Sequence, residues 1–320
     1  MARRPVELQN LLAIVSRQGR WGPRSGLYDL EQLVSEFEGL REAKDWIIRQ
    51  QGERLVVKAV TCMEVFLRST LAEMIDHGEE FQERAAQLGK DLKFDFQLIR
   101  ALQGRSVSLG LILSHSVSLN NVEAVISALT VMVGDSLKER LSSIRDRWEV
   151  EVKGNADEPI IENLDVVLRD VGDVFNIRHI IVHELPHDSP VKVDKIERQI
   201  QSCSTFVRAV DAVVQELMFP GSPLTQADMN VFAAQSFQSA NKELESMLAQ
   251  LRRTIGEEAA QELETANEAW VTFRDAQANF CAAQYKGGSI APMIRAAELE
   301  RVTRERITYF RKVIDEYEML

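Results

Sequence analysis

The chain has 320 residues, of which 45% are apolar and 27% charged, and it carries a formal net charge of −11. That length suits two domains rather than one, and the composition is that of a folded globular protein rather than a disordered tract or a coiled coil. The acidity excludes a broad electrostatic grip on nucleic acid, so any contact with RNA has to come from a local basic cleft.

The first residues, Met1 to Pro5, are basic. The apolar stretch Leu11 to Val15 is too short for the core of a signal peptide and no small-residue cleavage site follows it. No run approaches the roughly 18 apolar residues of a membrane span. A cytoplasmic protein with no membrane partner is therefore expected. Residues 20 to 27 (RWGPRSGL) break the chain, and a helix is predicted from about Asp29 to Gln50, because Leu30, Leu33, Val34, Phe37 and Leu40 recur at spacings of three and four. A second helix, about Glu53 to Ile75, is apolar nearly all round and suits the centre of a bundle. Glu64 interrupts it, and a carboxylate there needs a partner.

The stretch Gly104 to Asn121 (GRSVSLGLILSHSVSLNN) reads as a loop with one or two short helical turns, and Asn120 or Asn121 can cap a helix over Val122 to Val133. The cluster Gly154 to Pro159 is a strong breaker, with the next helix expected to begin near Pro159. That helix carries Leu164, Val167, Leu168, Val171, Val174 and Phe175 on one stripe and is expected to end near Pro186. Another helix, about Val193 to Leu217, precedes the linker Phe219-Pro220-Gly221-Ser222-Pro223. The expected organisation is thus all-α: a helical bundle over residues 1–218, a linker over 219–224 and a small helical domain over 225–320. Cys62, Cys203 and Cys281 form no Cys-x-x-Cys pair, so neither a disulfide framework nor a zinc knuckle is supported.

The densest chemistry lies in FNIRHIIVHELPH, residues 175 to 187, which holds three of the five histidines. Three readings compete. His183-Glu184-Leu185-Pro186-His187 matches the His-Glu-x-x-His of zinc proteases, but that motif needs both imidazoles on one face of a continuous helix. Pro186 lacks the backbone donor and disfavours helical geometry at Leu185, so that register fails and no metal is expected. In the second reading His179 and His183 only finish an amphipathic helix, where a cationic imidazole meets the negative end of the macrodipole. The third starts from Arg178 and His183. An imidazole near neutral pKa can move a proton, and an always-charged guanidinium can hold a phosphate.

Arg178-x-x-x-x-His183 resembles the Arg-x(4–6)-His signature of the HEPN superfamily. The upstream segments Ala59 to Leu71 (AVTCMEVFLRSTL) and Leu109 to Asn121 (LGLILSHSVSLNN) also look like a prokaryotic HEPN branch. The resemblance spans about residues 50 to 215. It implies cleavage of RNA without metal or other cofactor, with Arg178 and His183 catalytic, and a homodimer through this domain whose two motifs face one groove. A role in bacterial toxin or phage-defence systems is implied as well. His179, Asn176, Asp173 and Glu64 are candidate supporting residues, each with a plain structural role as the competing account. A HEPN subgroup controlled by nucleotidyl transfer has Tyr two residues after the His; Leu185 stands there instead. Many HEPN domains act as binding or dimerisation modules, so a non-catalytic scaffold is the rival function.

Residues 225 to 306 resemble the lysozyme-inhibitor LprI-like domain, a helical module usually found in secreted or lipid-anchored bacterial proteins. The matching pieces are Thr225-Gln226 with Met229-Asn230, Ala240 to Leu244, Asn267 to Asp275 (NEAWVTFRD), Gly287-Gly288-Ser289 and Thr303-x-x-Arg306. Phe232 and Glu298 stand where that family has cysteines, leaving Cys281 alone, a pattern that suits a reducing compartment. The resemblance implies an unknown ligand or protein for this domain; inhibition of a cell-wall hydrolase would require export. Trp270, Phe273 and Phe280 fall at helical spacing and are expected in the core, and Arg274 beside Asp275 is expected to be structural.

Overall fold

The structure, a computed structural model, describes residues 8–17, 25–90, 92, 96–104, 107–184 and 186–318. The expectations on Met1 to Pro5, on residues 20–24 and on Leu185 lie outside them. The protein is all-α, with no strand among the described residues. No helix there is long and apolar enough to cross a membrane. The chain divides into two compact units, Met1–Pro220 and Gly221–Leu320.

The N-terminal unit is organised around one long helix, α3 (Asp45–His77), following α1 (Leu8–Arg17) and α2 (Ser25–Glu38). After it come α4 (Glu79–Ala85), α5 (Phe96–Gln103), α6 (Leu109–Ser116), α7 (Val122–Val133) and α8 (Leu137–Ser143). A π-helical turn at Trp148–Val152, α9 (Leu164–His183) and α10 (Val193–Met218) complete the unit. α3 packs against α2, α6, α9 and α10. Its central residues Val56, Ala59, Met63, Phe66, Leu67 and Leu71 are sealed from solvent, as the all-round apolar pattern requires. Gly26 permits the close crossing of α2 and α3, since a Cβ there would overlap the Cys62 carbonyl and Phe66.

Several boundaries differ from the sequence reading. The helix expected over 29–50 is two helices, separated by a turn at residues 39–44. α3 runs through Gly52 without a break, and that glycine is a packing site: a Cβ there would come within 2.9 Å of a Val191 methyl. The Ser- and Gly-rich stretch before Asn121 contains a full helix, α6, because Ser108 caps it by accepting from Leu111 N–H at 3.0 Å. The helix expected at Pro159 starts five residues later, where Asn163 accepts from Val166 N–H at 3.1 Å. Pro159 instead forms an isolated bridge with Arg145. α7 has the expected limits, with Asn121 as its N-cap and Gly134, at φ 76°, as its left-handed C-cap.

The C-terminal unit consists of α11 (Gln226–Thr254), α12 (Glu257–Ala283) and α13 (Ala291–Glu318). Thr225 caps α11, its hydroxyl accepting from Asp228 N–H at 3.2 Å. α11 and α12 each pack on α13. The core is Ala240, Leu244, Leu248 and Leu251 against Ile307, Phe310 and Ile314. α12 is much less buried, with only Arg274 and Ala278 fully enclosed.

Candidate functional site

α9 is held to the bundle by an apolar stripe, Val167, Val171, Val174 and Phe175. A polar clamp to α10 fixes it further. The Asp170 carboxylate, 1% exposed, accepts two bonds from Arg198 at 2.9 Å each and one from the Ser202 hydroxyl at 2.9 Å. Bidentate guanidinium–carboxylate geometry fixes orientation as well as adding energy. One turn on, Gln199 donates to Asp173 at 3.3 Å. The Gln199 amide oxygen is buried with no hydrogen-bond partner among the described residues.

Beyond this clamp the last two turns of α9 emerge toward solvent. Asn176, His179 and His183 are exposed, and Arg178 is half-buried. His179 and His183 are brought together, their ring centroids 4.8 Å apart. A helix turns about 100° per residue, so Asn176, His179 and His183 share one face while Arg178 leaves the helix about 140° away from His183. Among the described residues no carboxylate pairs with Arg178 and no hydrogen bond or ring contact joins it to either imidazole. Glu184 is the C-cap residue, its N–H bonding the Ile180 carbonyl at 3.0 Å, so the helix stops before Pro186. Asp173 is engaged by Gln199. Glu64 lies half-buried on α3, where its charge opposes the lowering of the Arg68 pKa by burial. Among the described residues no three His, Cys, Asp or Glu side chains are grouped to hold a metal ion.

A second polar centre lies between α3 and α6. Arg68 donates to the Ser114 and Val117 carbonyls at 2.6 and 3.2 Å, capping the end of α6. Asp76 accepts from Gly110 N–H at 2.8 Å at its start. Burial, and then the Arg68 charge, push the neighbouring His115 imidazole down to about 4. Sequence reading misses this centre and the Asp170 clamp, because their partners lie 28 to 49 residues apart.

In the C-terminal unit a cluster of arginines and aromatics joins all three helices. Arg274, 7% exposed, donates to Asp275 at 3.0 Å and to Asn241 at 3.0 Å, and stacks over Phe237 and Trp270 at 5.1 and 5.2 Å. Arg306 covers the other partners: Phe310 at 4.6 Å, Trp270 at 5.5 Å and Tyr309 at 5.5 Å. Trp270 therefore meets two guanidinium groups, and ring faces help to shield both cations, Arg274 keeping the Asp275 carboxylate as a partner besides. Thr303 is fully enclosed and bonds back to the Leu299 carbonyl at 2.7 Å. Asn230 ties α11 to the Ser289 carbonyl at 3.0 Å. Residues 221–310 match the family model described as lysozyme inhibitor LprI.

The C-terminal unit is LprI-like. The chain is also 27% identical over 108 residues to an uncharacterized protein of Rhizobium meliloti (strain 1021), a match covering 30% of this chain and 78% of that protein. No solved structure matches the chain significantly. The matched family residues lie in the C-terminal unit alone.

Within the LprI-like unit Cys281 faces Glu298 through Gln277, whose amide donates to the Cys281 sulfur at 3.8 Å and to Glu298 at 3.2 Å. Arg301 holds the Glu298 carboxyl below its usual pKa, with help from Gln277 and the Cys281 thiol. A polar link thus occupies this spot. Trp270 is partly buried and Arg274 is structural as expected. Phe273 and Phe280, expected in the core, are 57% and 68% exposed. Their spacing is helical, but it marks the side of α12 turned away from α13.

Proposed function

We propose that the N-terminal unit is a metal-independent endoribonuclease of the HEPN type, and that the LprI-like unit is the module that binds a ligand or protein and aims or restrains it. A bacterial toxin or phage-defence role is the setting this reading implies. The observation that carries it is the end of α9: a half-buried guanidinium with no carboxylate partner among the described residues, and two solvent-facing imidazoles tilted against each other, all within six residues. In the reaction an imidazole takes the ribose 2′-hydroxyl proton as the 2′ oxygen bonds to phosphorus. The bond from phosphorus to the 5′ oxygen breaks, and an imidazolium returns a proton to that oxygen. The products are a 2′,3′-cyclic phosphate and a 5′-hydroxyl. Arg178 offsets the charge growing on the phosphate oxygens. Because Arg178 and His183 diverge on one helix, the working groove is composite, with Arg178 of one copy and His183 of a second.

The same divergence is what favours the alternative, a non-catalytic HEPN-type scaffold in which α9 only presents a polar surface. Incubating the purified protein with mixed RNA in EDTA separates the two. Cleavage that falls on the order of 10²-fold or more in His183→Ala and in Arg178→Ala, with unchanged circular dichroism, supports the nuclease. RNA equally stable with all three proteins supports the scaffold. Complementation on mixing the two variants would identify the composite groove directly. Inhibition of a lysozyme by the LprI-like unit is a third reading, tested by adding the protein to a lysozyme assay.

A further inference from the structure

The exposed side of α12 carries a pattern that its packing on α13 does not use. Ala266, Ala269, Phe273, Ala276, Phe280 and Ala283 recur at alternating spacings of three and four, and every one of them is exposed. That is a heptad seam, the spacing by which one helix lays a continuous apolar row along another. The residues of α12 that meet α13, including Arg274 and Ala278, project from a different side.

From this seam we infer that α12 pairs with α12 of a second copy of the chain in antiparallel orientation. In an antiparallel pair, layers join the two alternate heptad positions of opposite helices. Placing Phe273 against Ala276 of the second copy also sets Phe280 against Ala269 and Ala266 against Ala283. Each phenyl then falls on a methyl, and the same matching repeats on the other side of the twofold axis, as an isologous interface requires. A parallel pair would stack Phe on Phe and set Glu262, in the same heptad row, against its own copy. The antiparallel register instead carries Glu262 alongside Lys286 of the second copy. The flanks of the seam agree: Thr272 and Asn279 on one edge and Gln277 and Gln284 on the other bring no charge into the contact.

The interface is small. Four phenyl rings, each more than half exposed now, remove roughly 400 Å² from water, and the alanine rows keep the total under about 1,200 Å². That is the size of a transient association, in the micromolar range and dependent on concentration. It requires nothing of the N-terminal unit, and it stands or falls independently of the ribonuclease reading.

Sedimentation equilibrium on the full chain tests it. The wild-type protein should dimerise reversibly, and Phe273→Glu with Phe280→Glu should weaken the association at least about tenfold while leaving circular dichroism unchanged, since both rings are on the surface. A double variant, Ala266→Cys with Ala283→Cys, should give a covalent dimer under mild oxidation, with peptide mapping joining position 266 of one copy to position 283 of the other. These two positions are about 25 Å apart on one helix, so the link cannot be internal. A wild-type protein that stays monomeric, a dimer that is indifferent to the two glutamates and also gives no 266-to-283 link, or a link joining only position 266 to position 266 would each overturn the inference.

Discussion

Replacing His115 by Gln should remove a specific part of the acid sensitivity of the N-terminal unit. His115 lies in the last turn of α6, where a cation ordinarily gains from the helix dipole. Here Arg68 already occupies the carbonyls, so burial and a like charge act together and the imidazole pKa falls from 6.5 to about 4. The folded chain resists a proton that the unfolded chain accepts readily. The contribution to stability is therefore complete above about pH 6.5 and is lost as pH falls toward about 4. At about 1.4 kcal/mol per pH unit the full effect is about 3 kcal/mol. The ring is partly open, and solvent screening trims that to about 2 kcal/mol. Urea midpoints at pH 7 and about pH 4.5, followed by hydrogen exchange in α3 and α6, give the comparison. Wild type should lose about 2 kcal/mol more than His115→Gln between those conditions, because carboxylate titration is common to both. Equal losses would refute the assignment of a neutral, shielded imidazole at this position.

Three further perturbations probe other parts of the structure. Asp170→Ala deletes three bonds and strands the buried Ser202 hydroxyl, but Arg198 is 56% exposed and can rehydrate; a loss of about 2 kcal/mol in urea midpoint is expected, with none in the LprI-like unit. Trp270→Ala removes the surface shared by Arg274 and Arg306 and should cost about 3 kcal/mol in thermal unfolding of that unit, whereas Phe273→Ala should change it by less than about 0.5 kcal/mol. Thiol titration should find Cys62 and Cys203 unreactive until the chain unfolds, because both are buried and burial pushes Cys62 up to about 11 and Cys203 higher still. Rapid labelling of either in the native state would contradict the packing of α3 or α10.

Local signals carried over into the structure wherever a residue's partner is a chain neighbour. Asn121 and Gly134 bracket α7 because a cap needs only the backbone of the next few residues. The approach of His179 and His183 follows from four-residue spacing on a helix. The same logic failed at Pro159, where a cap at Asn163 overrode a proline that merely tolerates helix starts. It failed again at Phe273 and Phe280. Periodicity shows that a helix has an apolar stripe, but it does not say which neighbour, if any, covers that stripe. Asp170 gave no signal at all, since nothing along the sequence tells a carboxylate that Arg198 and Ser202 will enclose it.

The sequence by itself determined the all-helical class, because helix formation is set by spacings of three and four and by caps within a turn. It also determined the LprI-like character of the C-terminal unit, whose motif residues Arg274 and Arg306 meet on Trp270. Only the tertiary structure decided that α9 is clamped by a buried carboxylate, that burial and then the Arg68 charge hold His115 neutral well below its usual pKa, and that α12 keeps two phenyl rings in water. Each of those depends on groups far apart in the chain, and burial is a property of what packs nearby rather than of the residue buried.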